Sequence, residues 1–350
     1  MASGVTKPVT FAYEEAYETI ADSLVRGDIG LLIGSGMSFE SGIAVGSDMA
    51  KRMLRRAVLG PGHEDDATCP TIDKLAARYP FEGLAEYLTT KLNYQDFARW
   101  LRDEAGLGKA KPNDAHERLF GLRSLLGQRF QKMVFTTNFD NLIEKRFESD
   151  ACCITTENLA ELAEAREKGR VAVVHLHGSV SYPKSIVLGE LELTSIEGPL
   201  FDLFRAALAT DIFVLIGFSL ADTNLRKVFF DVQRVANTRR GLKKRTFAVS
   251  PADGDPNDLK TEAGIAKAVW AQRGIEHLAV TASEFFGTLL TATDDFVMVK
   301  LREQVATALR VERETLDKML ESATKQFGVL EPKDLLMYLY YSLTPLETAS

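Results

Sequence analysis

The chain has 350 residues, 45% of them hydrophobic and 26% charged, and these ordinary proportions argue against disorder, collagen-like repeats and a coiled-coil rod. Lys and Arg total 42 against 49 for Asp and Glu, a net charge of −7, so we expect no direct nucleic-acid binding beyond a local basic patch. Three cysteines without paired spacing, no signal-like amino terminus and no apolar run of membrane-spanning length predict a cytoplasmic protein without membrane contact.

Short apolar stretches of strand type alternate with segments of helical period along most of the chain. A first helix is predicted over Phe11 to Val25, before the first strand. The predicted strands are Ile29 to Ile33, Met133 to Thr136, Val171 to Leu176, Ile212 to Ile216, Thr246 to Val249 and Ile275 to Val280. Because parallel strands need crossovers that are usually helices, this alternation predicts a Rossmann-like α/β fold, a mostly parallel sheet with helices on both faces.

Two further regions are predicted to be helical. About 95 residues without a strand signal separate the first two strands, far more than a crossover needs, and their predicted helices are Gly46 to Val58, Ile72 to Leu88, Tyr94 to Leu101 and His116 to Leu126. After Ala279, one helical face carries Met298, Leu301, Val305, Leu309, Leu316 and Leu320. We therefore predict a core of residues 1–45 and 130–281, a helical insertion module of residues 46–129 and a C-terminal helical extension of residues 282–350.

The first candidate motif is Gly34-Ser35-Gly36-Met37-Ser38, directly after the first strand. Its glycines allow a tight turn and a close approach of phosphate to backbone amides. A glycine pair after a strand is equally typical of a plain turn. A dehydrogenase-type site is disfavoured, because no acidic residue ends a second strand about 20 residues further on.

Two more polar motifs follow predicted strands. Thr136-Thr137-Asn138-Phe139-Asp140 ends the second one, where open α/β sheets bind ligands, although Asn138 or Asp140 could simply cap the next helix. Ile216-Gly217-Phe218-Ser219 ends another, with Gly217 and Ser219 as candidates to face a nucleotide, and Asp222 beyond them suits a helix cap.

The fourth motif is His175-Leu176-His177-Gly178. Strand alternation predicts that both histidines lie on the same side, and a histidine at the end of a strand is a candidate base. A structural role is the alternative for either ring. Metal ligation needs a third ligand, and none accompanies the pair in the sequence, so we expect no metal ion.

In order and spacing, the four motifs resemble those of the sirtuin family. GSGMSFESGI is similar to the sirtuin phosphate loop, TTNFD to the TQN-D motif, HLHG to the segment ending in the catalytic His-Gly, and IGFSLADTNL to the later Gly-Ser loop. The resemblance extends from Gly30 to Ser250. It implies that NAD binds as substrate against Gly34, Ser35, Gly36, Ser38, Thr137, Gly217, Ser219 and Ser250, and that Asn138, His177 and Asp140 are catalytic.

The departures from the deacetylase pattern are as informative as the matches. After Ser41-Gly42-Ile43 the chain continues Ala44-Val45-Gly46-Ser47-Asp48, without the arginine of that loop, and the two zinc-binding cysteine pairs are absent. In this the chain resembles the sirtuin-like NAD hydrolases of bacterial antiphage defence. The resemblance implies an NAD glycohydrolase that releases nicotinamide and ADP-ribose when it is activated.

Two other functions stay open at this point: an NAD-dependent protein deacylase, and a module that senses NAD or ADP-ribose without cleaving it. The resemblance also implies a homo-oligomer, or activation by a partner such as a hexameric translocating ATPase or a short Argonaute. The C-terminal helical face could supply such an interface, or it could pack within the protein.

Overall fold

The strands of the described chain form one parallel β-sheet. The computed structural model describes residues 13–44, 46–60, 70–78, 84, 87, 93–130, 132–187, 198–208, 212–217, 245–327 and 331–343. The strands in these residues are β1 (Ile29–Ile33), β2 (Met133–Thr136), β3 (Ala151–Ile154), β4 (Val171–His175), β5 (Ile212–Ile216), β6 (Arg245–Val249) and β7 (Ile275–Leu278). They form a seven-stranded sheet in the order β3-β4-β2-β1-β5-β6-β7, with every neighbouring pair parallel. The predicted Rossmann-like α/β fold is confirmed.

One strand, β3, was not predicted from the sequence. Its residues Ala151-Cys152-Cys153-Ile154 include a single β-branched side chain and come only three residues after a helix, so they carry little strand signal. Pairing with β4 and burial at the sheet outweigh that weak propensity. β4 ends at His175 and not at Leu176, one residue earlier than predicted.

Helices precede, separate and follow these strands along the described chain. They are α1 (Glu14–Arg26), α2 (Gly46–Leu59), α3 (Pro70–Arg78), α4 (Tyr94–Arg99), α5 (Asp114–Leu126), α6 (Leu142–Phe147), α7 (Glu161–Glu167), α8 (Pro199–Leu208), α9 (Glu262–Ala271), α10 (Ala282–Leu309), α11 (Arg313–Phe327) and α12 (Pro332–Leu343). The described part of the interval between β1 and β2 contains helices and no strand, as predicted. Most of the predicted helix beyond Arg78 lies outside the described residues. None of the helices described is both long enough and apolar enough to cross a membrane.

The chain divides into two compact units, residues 26–288 and residues 1–25 with 289–350. In the second unit the predicted single apolar helix face is wrong: it is divided between α10 and α11, because Arg310 between them takes a left-handed conformation, φ 55°. The divided face and α12 enclose one apolar cluster of Met298, Leu301, Val305, Ala306, Leu316, Leu320 and Leu336. The finer boundaries expected for a core, an insertion and an extension stay predictions.

The strand register aligns the ends of the strands from which the candidate site residues follow. Ile33 of β1 pairs with Thr136 and with Ile216, Thr136 pairs with His175, and Ile216 pairs with Val249. The carboxyl ends of β1, β2, β4, β5 and β6 therefore lie level at one edge of the sheet. Because β2 adds to one side of β1 and β5 to the other, the connections diverge there, and such a switch point is where open α/β sheets bind ligands.

Candidate active site

Two glycine turns meet at the switch point. The loop after β1 contacts the turn after β5: the Gly34 N–H donates to the Ile216 carbonyl at 2.8 Å and the Gly36 N–H to the Gly217 carbonyl at 2.9 Å. The Gly217 N–H donates in turn to the Val249 carbonyl at 2.9 Å. Backbone pairing thus continues past the ends of the strands and links three loops.

Contact between the backbones explains why glycine occupies two of these positions. A Cβ atom at Gly36 would lie 2.8 Å from the Gly217 Cα, and a Cβ atom at Gly217, where φ is +61°, would lie 2.4 Å from the Met37 nitrogen. The glycines therefore serve the turn itself, which was one of the two roles considered for this motif. Since the amides of Gly34 and Gly36 donate to carbonyls, these glycines offer a nucleotide close approach rather than free donors.

Ser38, Asn138 and Asp140 form a buried polar network beside this loop. The Asn138 Nδ2 donates to the Gly34 carbonyl at 3.3 Å and to the Ser38 Oγ at 3.1 Å. The Ser38 Oγ donates to the Asp140 Oδ2 at 2.9 Å, and the Asp140 Oδ1 accepts the Leu142 N–H at 3.1 Å. Ser38 is therefore inside the network, and Asp140 accepts the first N–H of α6 while also contacting Ser38 of the first loop.

Asn138 has one buried polar atom that the protein leaves open. Its side-chain Nδ2 is fully used, and its backbone N–H donates to the Thr136 Oγ1 at 3.0 Å. The Asn138 Oδ1 is buried, with no hydrogen-bond partner in the described part of the chain. An unpaired buried acceptor costs roughly 1–3 kcal/mol, so this oxygen is suited to accept a hydrogen bond from a ligand hydroxyl or a water.

The surroundings of Asp140 also shape its ionisation. Its burial raises the pKa of the carboxyl group, while the Leu142 N–H and the Ser38 hydroxyl, which donate to its oxygens, act in the opposite direction. Asp140 is thus a carboxyl group in a dry site that keeps two of its hydrogen-bond acceptors occupied.

The two histidines of the fourth motif occupy different places. β4 ends at His175, so strand alternation does not extend to His177, which lies half-buried in the turn before Gly178. Gly178 has φ +84°, and a Cβ there would lie 2.2 Å from the Ser185 carbonyl oxygen. Thr136 pairs with His175, and Asn138 and His177 each follow two residues later. The loops that carry Asn138 and His177 therefore leave the sheet side by side.

His175 is buried behind Asn138. Its Nδ1 lies 2.9 Å from the Asn138 carbonyl oxygen, and its Nε2 lies 2.7 Å from the Glu144 Oε1 on α6. Burial by itself lowers the pKa of this imidazole, but the Glu144 carboxylate and the hydrogen bonds to Glu144 and Cys153 outweigh it and raise the pKa well above its ordinary value. The buried contact with Glu144 therefore favours the protonated form of the His175 ring.

Among the residues that the structure describes, His175 and Glu144 also form, with Cys153, a group that could hold a metal ion. Ligand atoms of Glu144, Cys153 and His175 lie within 4.8 Å of one another. The third ligand that the sequence did not show thus comes to His175, not to His177. Zinc ligands bound at about 2.0–2.1 Å in a tetrahedron stand roughly 3.3 Å apart, whereas the His175 Nε2 and the Glu144 Oε1 are 2.7 Å apart. The contact is that of a hydrogen-bonded ion pair.

The predicted NAD-binding residues that follow β5 and β6 lie on the other side of β1. Gly217 follows β5, and Ser250 follows β6 with its Oγ 2.9 Å from the Nε2 of the buried His277. Thr137 belongs to the β2 side, where its N–H donates to the Ile33 carbonyl at 3.1 Å. Ser219 and Asp222 lie outside the described residues.

The sequence did not single out two residues that support the site. Glu144 sits in the first turn of α6, where an acidic residue is typical of a helix amino terminus, so its pairing with His175 had no local signal. Asn113 caps α5 in the insertion, and its Nδ2 also donates to the Met37 carbonyl at 2.7 Å, which fastens the glycine loop. Only the three-dimensional arrangement shows either role.

Comparison with known families agrees with this arrangement. Residues 132–278 match a family model described as a SIR2-like domain, a range that contains Asn138, Asp140, His177 and Ser250 but not the glycine loop after β1. No curated protein matches the chain. SIR2-like domains use NAD. The match therefore supports a sirtuin-like family and an NAD-using activity for this chain.

Proposed function

We propose that the protein is an NAD glycohydrolase that cleaves the bond between nicotinamide and ribose and releases nicotinamide and ADP-ribose. The observation that carries the proposal is the Asn138 Oδ1, a buried acceptor without a partner among the described residues, held at the switch point of a SIR2-like sheet. Its amide is oriented by contacts to the first glycine loop on one side and to Ser38 on the other.

The chemistry requires little from the protein beyond orientation and proton transfer. Nicotinamide leaves with the electron pair of the C–N bond, positive charge develops on the ribose, and a water oxygen then forms the new bond at that carbon. The Asn138 Oδ1 would accept a hydrogen bond from a ribose hydroxyl or from this water, and so fix the attacking geometry. Asp140, next to it through Ser38, would hold that arrangement and add negative potential near the developing cation.

We assign His177 as the group that accepts a proton from the attacking water. On attack, the water loses a proton, and a half-buried imidazole on the adjacent loop can take it near neutral pH. The loops after β2 and β4 run in parallel from paired residues, which supports the placement of His177 opposite Asn138. We assign the pyrophosphate to the loop of Gly34, Ser35 and Gly36, and the adenosine half to the side of Gly217, Ser219 and Ser250.

The test is direct. Purified protein is incubated with NAD at low and high protein concentration, and nicotinamide and ADP-ribose are followed by chromatography. Wild type should release both products, and Asn138→Ala and His177→Ala should each lower the rate by about 100-fold or more. Asn141→Ala is the matched control, because this neighbouring asparagine contacts Ser181 instead of the site, at 3.3 Å, and should cleave NAD normally.

Three outcomes separate the alternatives. Normal cleavage by His177→Ala would remove its assignment. Formation of a ribose-linked acyl product from an acylated peptide would indicate a deacylase. Tight calorimetric binding of NAD without cleavage in any assembly state would indicate a sensor.

We also propose that the activity serves antiphage defence in the cytoplasm and is gated, by homo-oligomerisation or by a partner such as a hexameric ATPase or a short Argonaute. The support is the resemblance to defence-associated NAD hydrolases, together with the cost to a cell of unregulated NAD loss. Light scattering on the full chain, with NAD cleavage measured across the same concentrations, tests self-assembly: cleavage per protomer should rise as the oligomer forms.

A further inference from the structure

A second layer of polar contacts lies behind the Asn138 side chain. It runs from the Glu144 carboxylate to the His175 Nε2, and from the His175 Nδ1 to the Asn138 carbonyl oxygen, at 2.7 and 2.9 Å. His175 is 1% exposed, so this chain is shielded from water. Neither Glu144 nor His175 has a part in the cleavage chemistry assigned above.

We propose that His175 and Glu144 are positioning residues, which hold the Asn138 peptide so that its side-chain Oδ1 faces the substrate. The inference rests on the proposed function and deepens it. It separates the two histidines of one motif: His177 is assigned to proton transfer, and His175 acts only through Asn138.

Hydrogen-bond chemistry fixes the direction of each contact. A peptide carbonyl can only accept, so the His175 Nδ1 carries a proton and donates to Asn138. The Glu144 carboxylate then accepts a hydrogen bond from the Nε2–H, which prevents the ring from rotating. The raised pKa of the imidazole, to which Glu144 and Cys153 contribute, agrees with this doubly protonated ring.

Asn138 is thereby held at every polar atom except one. Its N–H donates to Thr136, its carbonyl accepts from His175, and its Nδ2 donates to Gly34 and Ser38. The next peptide is also held, since the Phe139 carbonyl accepts the Val180 N–H at 3.0 Å. Because the backbone and the amide nitrogen of Asn138 are fixed, the direction of its Oδ1 is fixed as well. Loss of the His175 contact removes the hydrogen bond that β4 makes to this peptide.

In the described part of the chain, three titratable side chains interact with the His175 ring. Glu144 faces it from α6 and Cys153 from β3, while Asp140 lies near enough for His175 to lower its pKa. Cys153 belongs to this group without being a link between Glu144 and Asn138, which makes it the internal control. Cys152, its neighbour on β3, directs its thiol to the Val171 carbonyl instead, at 3.8 Å.

Two pairs of variants test the inference. His175→Leu removes both contacts, whereas the amide of His175→Asn can take the place of Nδ1 and still donate to the Asn138 carbonyl. Glu144→Leu leaves the ring unheld, whereas Glu144→Gln can still hydrogen-bond to Nε2. In both pairs the leucine variant should lower kcat by about 100-fold with a KM change below about threefold, and the amide variant should recover at least about tenfold. Cys153→Ser should stay within about twofold of wild type.

Folding and ring ionisation are followed alongside. Thermal unfolding shows which variants are folded, and kinetics are compared only for those. In wild type, ring ¹⁵N shifts of His175 should report two protonated nitrogens throughout neutral pH. If wild type does not cleave NAD under any condition, the proposed function fails, and the inference is then judged by the ring ¹⁵N shifts of His175 alone.

Four results would overturn the inference. These are wild-type kcat in folded His175→Leu, an asparagine variant no better than the leucine variant, a singly protonated His175 ring at neutral pH, or stoichiometric metal in purified protein that is lost in Cys153→Ser and kept in Cys152→Ser. The last result would make the cluster a metal centre instead of an ion pair.

Discussion

The two sides of β1 differ in the kind of contact that holds the loops at the carboxyl ends of the strands. On the β2 and β4 side, buried side chains interlock: Ser38, Asn138 and Asp140 in front, His175 and Glu144 behind. On the β5 and β6 side, the described contacts are mainly backbone to backbone, through glycines after β1 and β5.

This difference predicts that one side of β1 serves catalysis and the other side serves the fold and nucleotide binding. Side-chain networks orient reactive groups, so substitutions on the β2 and β4 side should change catalysis more than binding. Close backbone packing admits a flat, extended ligand but tolerates no added atom, so substitutions on the glycine side should change the fold and nucleotide binding together.

The largest effect is expected at Gly217. An alanine Cβ would lie 2.4 Å from the Met37 nitrogen, and the residue has φ +61°, so Gly217→Ala combines a backbone clash with backbone strain. We expect a loss of roughly 3 kcal/mol in the free energy of unfolding. Urea unfolding measures it, with Gly42→Ala as the control.

Gly42 is a matched control because it has a similar φ of +77° but nothing within 4 Å of an added Cβ. Its replacement should cost only the conformational strain, about 1 kcal/mol. Equal costs at the two positions would show that the contact between the two glycine turns does not limit the fold, and the comparison between the two sides would lose its basis.

The next effect concerns pH and the residue pair that fastens the shared loop. His116 is buried in the first turn of α5, and burial, only partly offset by Glu144, lowers its pKa to about 4. Its Nδ1 lies 3.3 Å from the backbone nitrogen and 2.7 Å from the Oδ1 of Asn113, the residue whose Nδ2 also donates to the Met37 carbonyl. Protonation of the ring therefore changes the contacts of the residue that anchors the glycine loop.

The sign follows from linkage. The folded pKa is below the unfolded value of about 6.5, so the neutral ring stabilises the protein fully above that pH, and the contribution falls as the pH drops towards 4. The fall should reach about 3 kcal/mol. Urea unfolding of wild type and His116→Gln between pH 7 and 4 measures it: the variant should lose less stability on acidification, and parallel curves would contradict the assignment.

How much of this could be predicted varies with the kind of signal. The apolar runs of β1, β2, β4, β5 and β6 are buried on both faces and stand out as strands, and the polar motifs stand where those strands end. β3 was missed because Ala151-Cys152-Cys153-Ile154 has little intrinsic preference for a strand and depends on its neighbour.

The site shows the same limit. Asn138, Asp140 and His177 could be named because their positions after strands, and the resemblance, both point to them. The bond from His175 to Glu144 joins residues 31 positions apart, and the bond from Asn113 to Met37 joins residues 76 apart. No local periodicity encodes such contacts. The difference between the two histidines depends on β4 ending at the first of them, which alternation along the sequence could not show.

The smallest effect is expected at Ser250, on the glycine side. Its Oγ shares a hydrogen bond of 2.9 Å with the His277 Nε2, and burial lowers the pKa of that ring, so a neutral imidazole pairs with the hydroxyl. Ser250→Ala removes one partly buried hydrogen bond and should cost about 1 kcal/mol of stability. Because Ser250 is assigned to the adenosine half, far along the edge from Asn138, the substitution should raise the KM for NAD a few-fold and leave kcat unchanged. Steady-state cleavage of NAD measures both constants, with Ser181→Ala, on the β4 side, as a hydroxyl-deletion control. A fall in kcat instead of a rise in KM would mean that the β6 loop takes part in the chemical step, and the division between a reactive side and a binding side would then be wrong.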